Sequence, residues 1–129
     1  MNRAVIDTNV LVSANISSGG SPAKIMSLFY TGKLQLFYSK EILAEYERVL
    51  SYKKLGIPTE AKNDIIKAIK AGGTLIEAPA STVPMPDETD RKFYDAAKAS
   101  EASLITGNLK HYPIDALIVN PTGFLAATQ

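Results

Sequence analysis

Cysteine is missing from the 129 residues, and histidine occurs once, at His111. Without cysteine there can be no disulfide and no thiolate metal site, and one histidine excludes a multi-histidine zinc site within the chain. Any bound metal must take mainly oxygen ligands, which selects hard cations such as Mg²⁺, Mn²⁺ or Ca²⁺. No apolar run approaches the ~20 residues that span a bilayer. The opening Met1 to Asp7 lacks the long apolar stretch and small-residue cleavage site of a signal peptide, so the expectation is a soluble, cytoplasmic protein. Charge of one sign is not in excess either. The net charge of +1 excludes a strongly basic nucleic-acid coat. It does not exclude a local basic patch, because an acidic centre would cancel surrounding lysines in the total.

There is no internal repeat, low-complexity tract or charged tail. Residues 1–129 fit a single domain, long enough to bury roughly two-thirds of its unfolded surface without a staple. Short apolar segments alternate with helical patterns. Arg3 to Asp7 reads as a strand that turns into a helix, and Ser17 to Gly20 reads as a loop. A helix follows from Ser21 or Pro22 and stops at Gly32. Leu34 to Tyr38 is a second strand, and Ser39 caps a helix from Lys40 to Tyr52. Another helix runs from Thr59 to Gly72-Gly73, and Thr74 to Glu77 is a third strand. Pro79 to Glu88, with its three prolines, is a loop. Asp90 to Ala102 is helical, Ser103 to Thr106 and Ala116 to Val119 are strands, and a short helix ends the chain. This alternation predicts an α/β fold with a parallel sheet covered on both faces. Ligands then bind beyond the carboxyl ends of the strands, where Asp7 and Gly107-Asn108 fall.

Three carboxylates stand out. Asp7 ends the buried run Ala4-Val5-Ile6, where it can be either a helix N-cap or a catalytic group. Glu45 lies at the margin of a stripe formed by Ile42, Leu43, Tyr46, Val49 and Leu50, at ~100° per residue. Such a glutamate either leans out to water, pairing with Arg48 or Lys53, or meets a cation. Asp90 begins the inward side of its helix, sharing a face with Phe93, Tyr94, Ala97 and Glu101; a cap is again the simpler role. Asp95 falls on the opposite, solvated face, and Asp87 lies in the preceding loop. Were the three to converge, their mutual repulsion would call for a divalent cation. One or two such ions would activate water against a phosphodiester.

Several segments resemble PIN domains: VIDTNVLVSA, YSKEILAEYERVL, DETDRKFYDAAKASEASLITGNLKHYP and the closing NPTGFL. More narrowly, the chain is similar to the PIN-family toxins of type II toxin–antitoxin modules, often called VapC-like. The resemblance runs in order through nearly the whole chain. It implies a three-layer α/β/α sandwich with a central parallel sheet of about four to five strands, and an endoribonuclease using Mg²⁺ or Mn²⁺. The family's acidic positions fall on Asp7, Glu45 and Asp90. The fourth, usually the aspartate of a T-G-D turn, is Asn108, which offers an oxygen but no charge. By the same resemblance Asp7, Glu45, Asp90 and Asn108 are the expected catalytic and metal-holding set. Thr8, Asn9 and Thr106 match polar positions that orient the carboxylates or the attacking water. A homodimer and a cognate antitoxin are implied as partners.

An RNA substrate needs a cationic rim. Lys53-Lys54, Arg91-Lys92, Lys98 and Lys110-His111 are candidates, with Lys110 and His111 nearest the proposed site and Tyr112 available to stack a base. Rival functions leave different marks. A haloacid-dehalogenase-type phosphatase needs a second aspartate two residues after Asp7, where Asn9 stands. A receiver-like domain needs an acidic pair where Asp7 is alone. A catalytically weak or inactive PIN module binding RNA or protein remains open because of Asn108.

Overall fold

The computed structural model describes residues 2–128. In chain order its elements are β1 (Asn2–Ile6), α1 (Thr8–Ile16), α2 (Ser21–Tyr30), β2 (Leu34–Tyr38), α3 (Lys40–Leu50), α4 (Thr59–Gly72), β3 (Thr74–Leu75), α5 (Arg91–Ser100), β4 (Ser103–Ile105), β5 (Ile118–Val119) and α6 (Pro121–Ala127). Single 3₁₀ turns sit at Lys53–Leu55, Glu88–Asp90 and Leu109–His111.

Three successive residues of β1, Ala4, Val5 and Ile6, are buried, as are Leu36, Phe37 and Tyr38 of β2. Side chains alternate between the two faces of a strand, so such runs form only where both faces are covered. The sheet has the order β3-β2-β1-β4-β5 with every neighbouring pair parallel, and the helices make it an α/β sandwich. α5 packs on β1, β2 and β4, whereas α2 joins β2 to α1, α4 and α6. The chain leaves β1 toward β2 and later returns to β4 on its other side. That reversal opens a crevice at the carboxyl ends of β1 and β4, the place where such sheets bind ligands.

Local chemistry explains the elements flanking that crevice. Ser39 Oγ accepts from the Ile42 backbone N–H at 3.2 Å, a cap of the kind worth about 1 kcal/mol, and starts α3. Ile42, Tyr46 and Leu50, four residues apart, then form its buried stripe. Pro22 stands in the first turn of α2, where its missing N–H costs nothing. Gly73 joins α4 to β3. A Cβ there would lie 2.6 Å from the Ile69 carbonyl oxygen and 3.1 Å from the Tyr38 ring. Gly73→Ala is therefore expected to cost about 1–3 kcal/mol in urea denaturation. A loss below about 0.5 kcal/mol would show that this turn relaxes freely.

Two expectations need correction. The segment from Asp90 to Ala102 is not one helix. A 3₁₀ turn capped by Asp87 precedes α5, and the helix ends at Ser100. Glu101 adopts a left-handed conformation at φ 51° and is exposed, so it leaves the inward face. Asp95 is not solvated but buried, accepting the Ser81 N–H at 3.1 Å. The cause is the proline loop, which folds back over α5; Arg91 fastens it by donating to the Ser81 carbonyl at 2.8 Å and hydroxyl at 3.0 Å.

Candidate active site

Asp7 follows the last residue of β1, and its N–H donates to the Ile105 carbonyl at 3.0 Å, so Asp7 and Thr106 lie side by side beyond the strand ends. The Asp7 carboxylate is buried. Oδ2 accepts from the Thr106 hydroxyl at 2.8 Å and from the Tyr112 hydroxyl at 3.0 Å, both buried bonds. Oδ1 receives only the Asn9 backbone N–H, at 3.4 Å. The N-cap role of Asp7 is thus the weaker of its two engagements, and the Asn9 side chain is exposed. Thr106 is itself oriented, since its oxygen accepts from the Asn108 N–H at 3.1 Å.

Glu45 reaches the same crevice from α3, with its side chain 14% exposed. One oxygen accepts from the Thr8 hydroxyl. The other pairs with Lys92 Nζ at 2.7 Å, with exposed Arg48 further off at 3.8 Å. The neighbouring Tyr46 donates its hydroxyl to the Ile6 carbonyl, tying α3 to the residue before Asp7.

Asp90 makes no capping bond. Its Oδ2 is buried and has no hydrogen-bond partner, with His111 Nδ1 3.5 Å away. Its pKa is pushed up to about 6, first by burial and then by the negative charges of Asp7, Asp87 and Glu45, with His111 opposing. Asn108 is exposed, and its amide nitrogen lies 3.0 Å from His111 Nε2. With the amide donating, the ring proton sits on Nδ1, facing Asp90.

Asp7, Asp90 and Glu45 all raise the Tyr112 pKa, after burial as the leading cause, so the charges of all three act on one buried phenol, to which only Asp7 among them is hydrogen-bonded. Burial, then Asp7 and Glu45, likewise raise Tyr46. The carboxylates are neighbours rather than a closed cage. Among the described residues no three acidic, histidine or cysteine side chains stand close enough together to enclose an ion as they are. The donor chemistry nonetheless suits a hard divalent cation: all the donors are oxygens, and a buried Asp90 oxygen is unpartnered.

Sequence reasoning missed part of this site. Tyr112 cannot stack a base, because it is buried with its hydroxyl on Asp7. Lys92, read as part of an outer rim, turns inward to Glu45. Tyr46 was legible only as core, although a tyrosine within an aliphatic stripe does signal a buried hydroxyl in need of an acceptor. Arg91 pairs with Glu88 at 2.6 Å and Lys98 with Asp115 at 2.9 Å, so neither is a free rim cation. Lys53, Lys54 and Lys110 are exposed and form no ion pair among the described residues.

Fold and site together define a parallel α/β protein with an acidic centre at the switch point of its sheet. Comparison with known proteins makes this specific: the family model described as PIN domain matches residues 3–110, and the chain belongs to that family. The uncharacterized protein MJ1680 of Methanocaldococcus jannaschii is 34% identical over 109 residues, covering 82% of this chain and 70% of that protein. Three solved structures share the fold. VapBC2 from Rickettsia felis, bound to a DNA fragment from its promoter, has a TM-score of 0.56 at 20% identity over 84% of this chain and 89% of that one. A toxin–antitoxin complex from Klebsiella pneumoniae has a TM-score of 0.59 at 16% identity over 92% and 97%. PAE2754 from Pyrobaculum aerophilum has a TM-score of 0.60 at 16% identity over 100% and 97%. No helix among the described residues is long and apolar enough to cross a membrane.

Proposed function

We propose that this protein is a metal-dependent endoribonuclease that hydrolyses RNA phosphodiester bonds, acting as the toxin component of a toxin–antitoxin module. The observation that carries the reading is the buried Asp90 oxygen left without a hydrogen-bond partner, in a crevice that also holds the buried Asp7 carboxylate and the largely buried Glu45 carboxylate. Leaving a carboxylate oxygen desolvated and unpaired costs free energy, which a cation on that oxygen would recover. Asp7 and Asp90 would hold Mg²⁺ or Mn²⁺, with Glu45 and Asn108 bordering the site. A divalent cation there would supply Lewis acidity toward a phosphate oxygen and toward water.

The chain's own residues do the positioning. Thr106 and Tyr112 fix one oxygen of Asp7 and leave the other turned to the helix start. Thr8 holds Glu45. Asn108 orients the His111 ring, whose remaining N–H faces Asp90. Exposed Lys110, beside this group, is the natural contact for an RNA phosphate. The toxin role and an antitoxin partner are supported by the shared fold with the Rickettsia and Klebsiella toxin–antitoxin structures. Self-association to a homodimer, implied by the family resemblance, and a cytoplasmic location belong to the same proposal.

Cleavage of a mixed RNA pool in Mg²⁺ or Mn²⁺ tests the reading. EDTA and Asp7→Asn are each expected to remove activity. Cleavage that survives either treatment would overturn it.

A further inference from the structure

The acidic centre contains a cation of its own. Lys92 lies two residues after Asp90 in the chain, yet its ammonium pairs with Glu45 at 2.7 Å. It also donates to the Thr89 carbonyl and lies over the Phe93 ring, 5.2 Å from the centroid. The Lys92 side chain is only 22% exposed, so this is not a loose surface pair whose two ends part readily in water. With Thr8 on the other oxygen, both oxygens of Glu45 are engaged. Asp90 is the opposite case: its buried Oδ2 has no hydrogen bond and only His111 Nδ1 nearby, at 3.5 Å, and Asp7 Oδ1 has only a long backbone contact.

Resting on the reading of this crevice as a metal centre, we propose that Lys92 is a positioning residue that neutralises Glu45 and limits the site to one divalent ion, held by Asp7 and Asp90. Charge balance gives the reason. Three carboxylates and one ammonium leave two negative charges, which one divalent cation cancels and two would exceed. Asn108, where a further acidic group would add charge, contributes none. Displacing Lys92 to admit a second ion would strip a partly buried ammonium of Glu45, a penalty of the kind that makes half-broken buried pairs costly.

Mn²⁺ binding to the whole chain, counted by electron paramagnetic resonance and calorimetry, tests this without reference to activity. Wild type is expected to take up one Mn²⁺. Glu45→Gln is expected to keep that site within about tenfold in affinity, while Asp90→Asn weakens it by more than about a hundredfold. Lys92→Met, which removes the close cation from Glu45 and leaves only exposed Arg48 at 3.8 Å, is expected to admit a second Mn²⁺. Lys92→Met/Glu45→Gln, which has no unpaired charge to endanger folding, is expected to return to one. Two ions on wild type would overturn the proposal, as would a Glu45→Gln loss as deep as that of Asp90→Asn, or a single ion on Lys92→Met. No uptake by wild type, or uptake indifferent to Asp7→Asn and Asp90→Asn, would bring down the metal-centre reading itself. The two failures differ in what is counted: no ion, or an ion indifferent to both aspartates, in the one case, and the wrong number of ions or a Glu45-dependent ion in the other.

Discussion

Asp90→Asn is expected to lower RNA cleavage at least about a hundredfold and, in the same protein freed of metal, to raise the melting temperature at neutral pH. Both effects come from one carboxylate in an unfavourable place. The unfolded Asp90 carboxyl ionises near 3.8 and the folded one near 6, because burial and the charges of Asp7, Asp87 and Glu45 oppose its ionisation more than His111 assists it. Between those values the native state holds the extra proton, so stability falls as pH rises, and the penalty is complete above about 6. Asparagine carries no charge and escapes it. The expected gain is on the order of 1–3 kcal/mol, several degrees for a domain of this size. Melting curves in EDTA should show wild type and variant converging below pH 4 and separating to a plateau above about pH 6.5. Equal melting temperatures at pH 7.5, or a less stable variant, would mean that the folded protein does not resist Asp90 ionisation. The two halves of the prediction belong together, since a group held ready for a cation is a strained group without one.

Tyr46→Ala is expected to destabilise the protein by about 3–5 kcal/mol, a large fraction of the roughly 5–15 kcal/mol that holds a domain folded. Tyr46 is 1% exposed, its ring lies against Phe93 of α5 at 6.4 Å between centroids, and its hydroxyl donates to the Ile6 carbonyl. It thus joins α3, α5 and the end of β1, the three elements that carry Glu45, follow Asp90 and precede Asp7. Tyr46→Phe separates the two contributions. It keeps the ring and removes the bond, at about 1–2 kcal/mol, and is expected to weaken Mn²⁺ binding severalfold because Ile6 precedes Asp7. Urea midpoints compared at constant m-value give both numbers. An alanine variant losing less than about 1 kcal/mol would show that the cavity collapses and that Tyr46 does not anchor the site.

The elements were legible wherever their signal was local. The strand Leu34–Tyr38 runs where the apolar run places it, and Ser39 caps α3 through the Ile42 N–H as its position before the helix implies. Helix ends were less legible. α3 stops at Leu50, two residues before Tyr52, and β3 has two residues rather than four. Frayed turns and short edge pairings carry too little periodicity to mark an end. Asp95 was misplaced because helical periodicity says which side of α5 a residue takes, not what covers that side. The proline loop that buries Asp95 bonds it through Ser81, fourteen residues earlier.

By itself the sequence determined that any metal here is held mainly by oxygen, that an apolar strand delivers Asp7 to the edge of a sheet, and that a helix carries Glu45 while Asp90 stands just before another. Those are consequences of composition and of short-range spacing, which act within a few residues. Only the tertiary structure decided the company those carboxylates keep. Thr106 and Tyr112 reach Asp7 across about a hundred residues of chain, and Lys92 turns inward to Glu45 although its own helix made it equally eligible for solvent. Hydrogen bonds and ion pairs of that kind form between surfaces that exist only after the sheet has closed, so no local pattern encodes them.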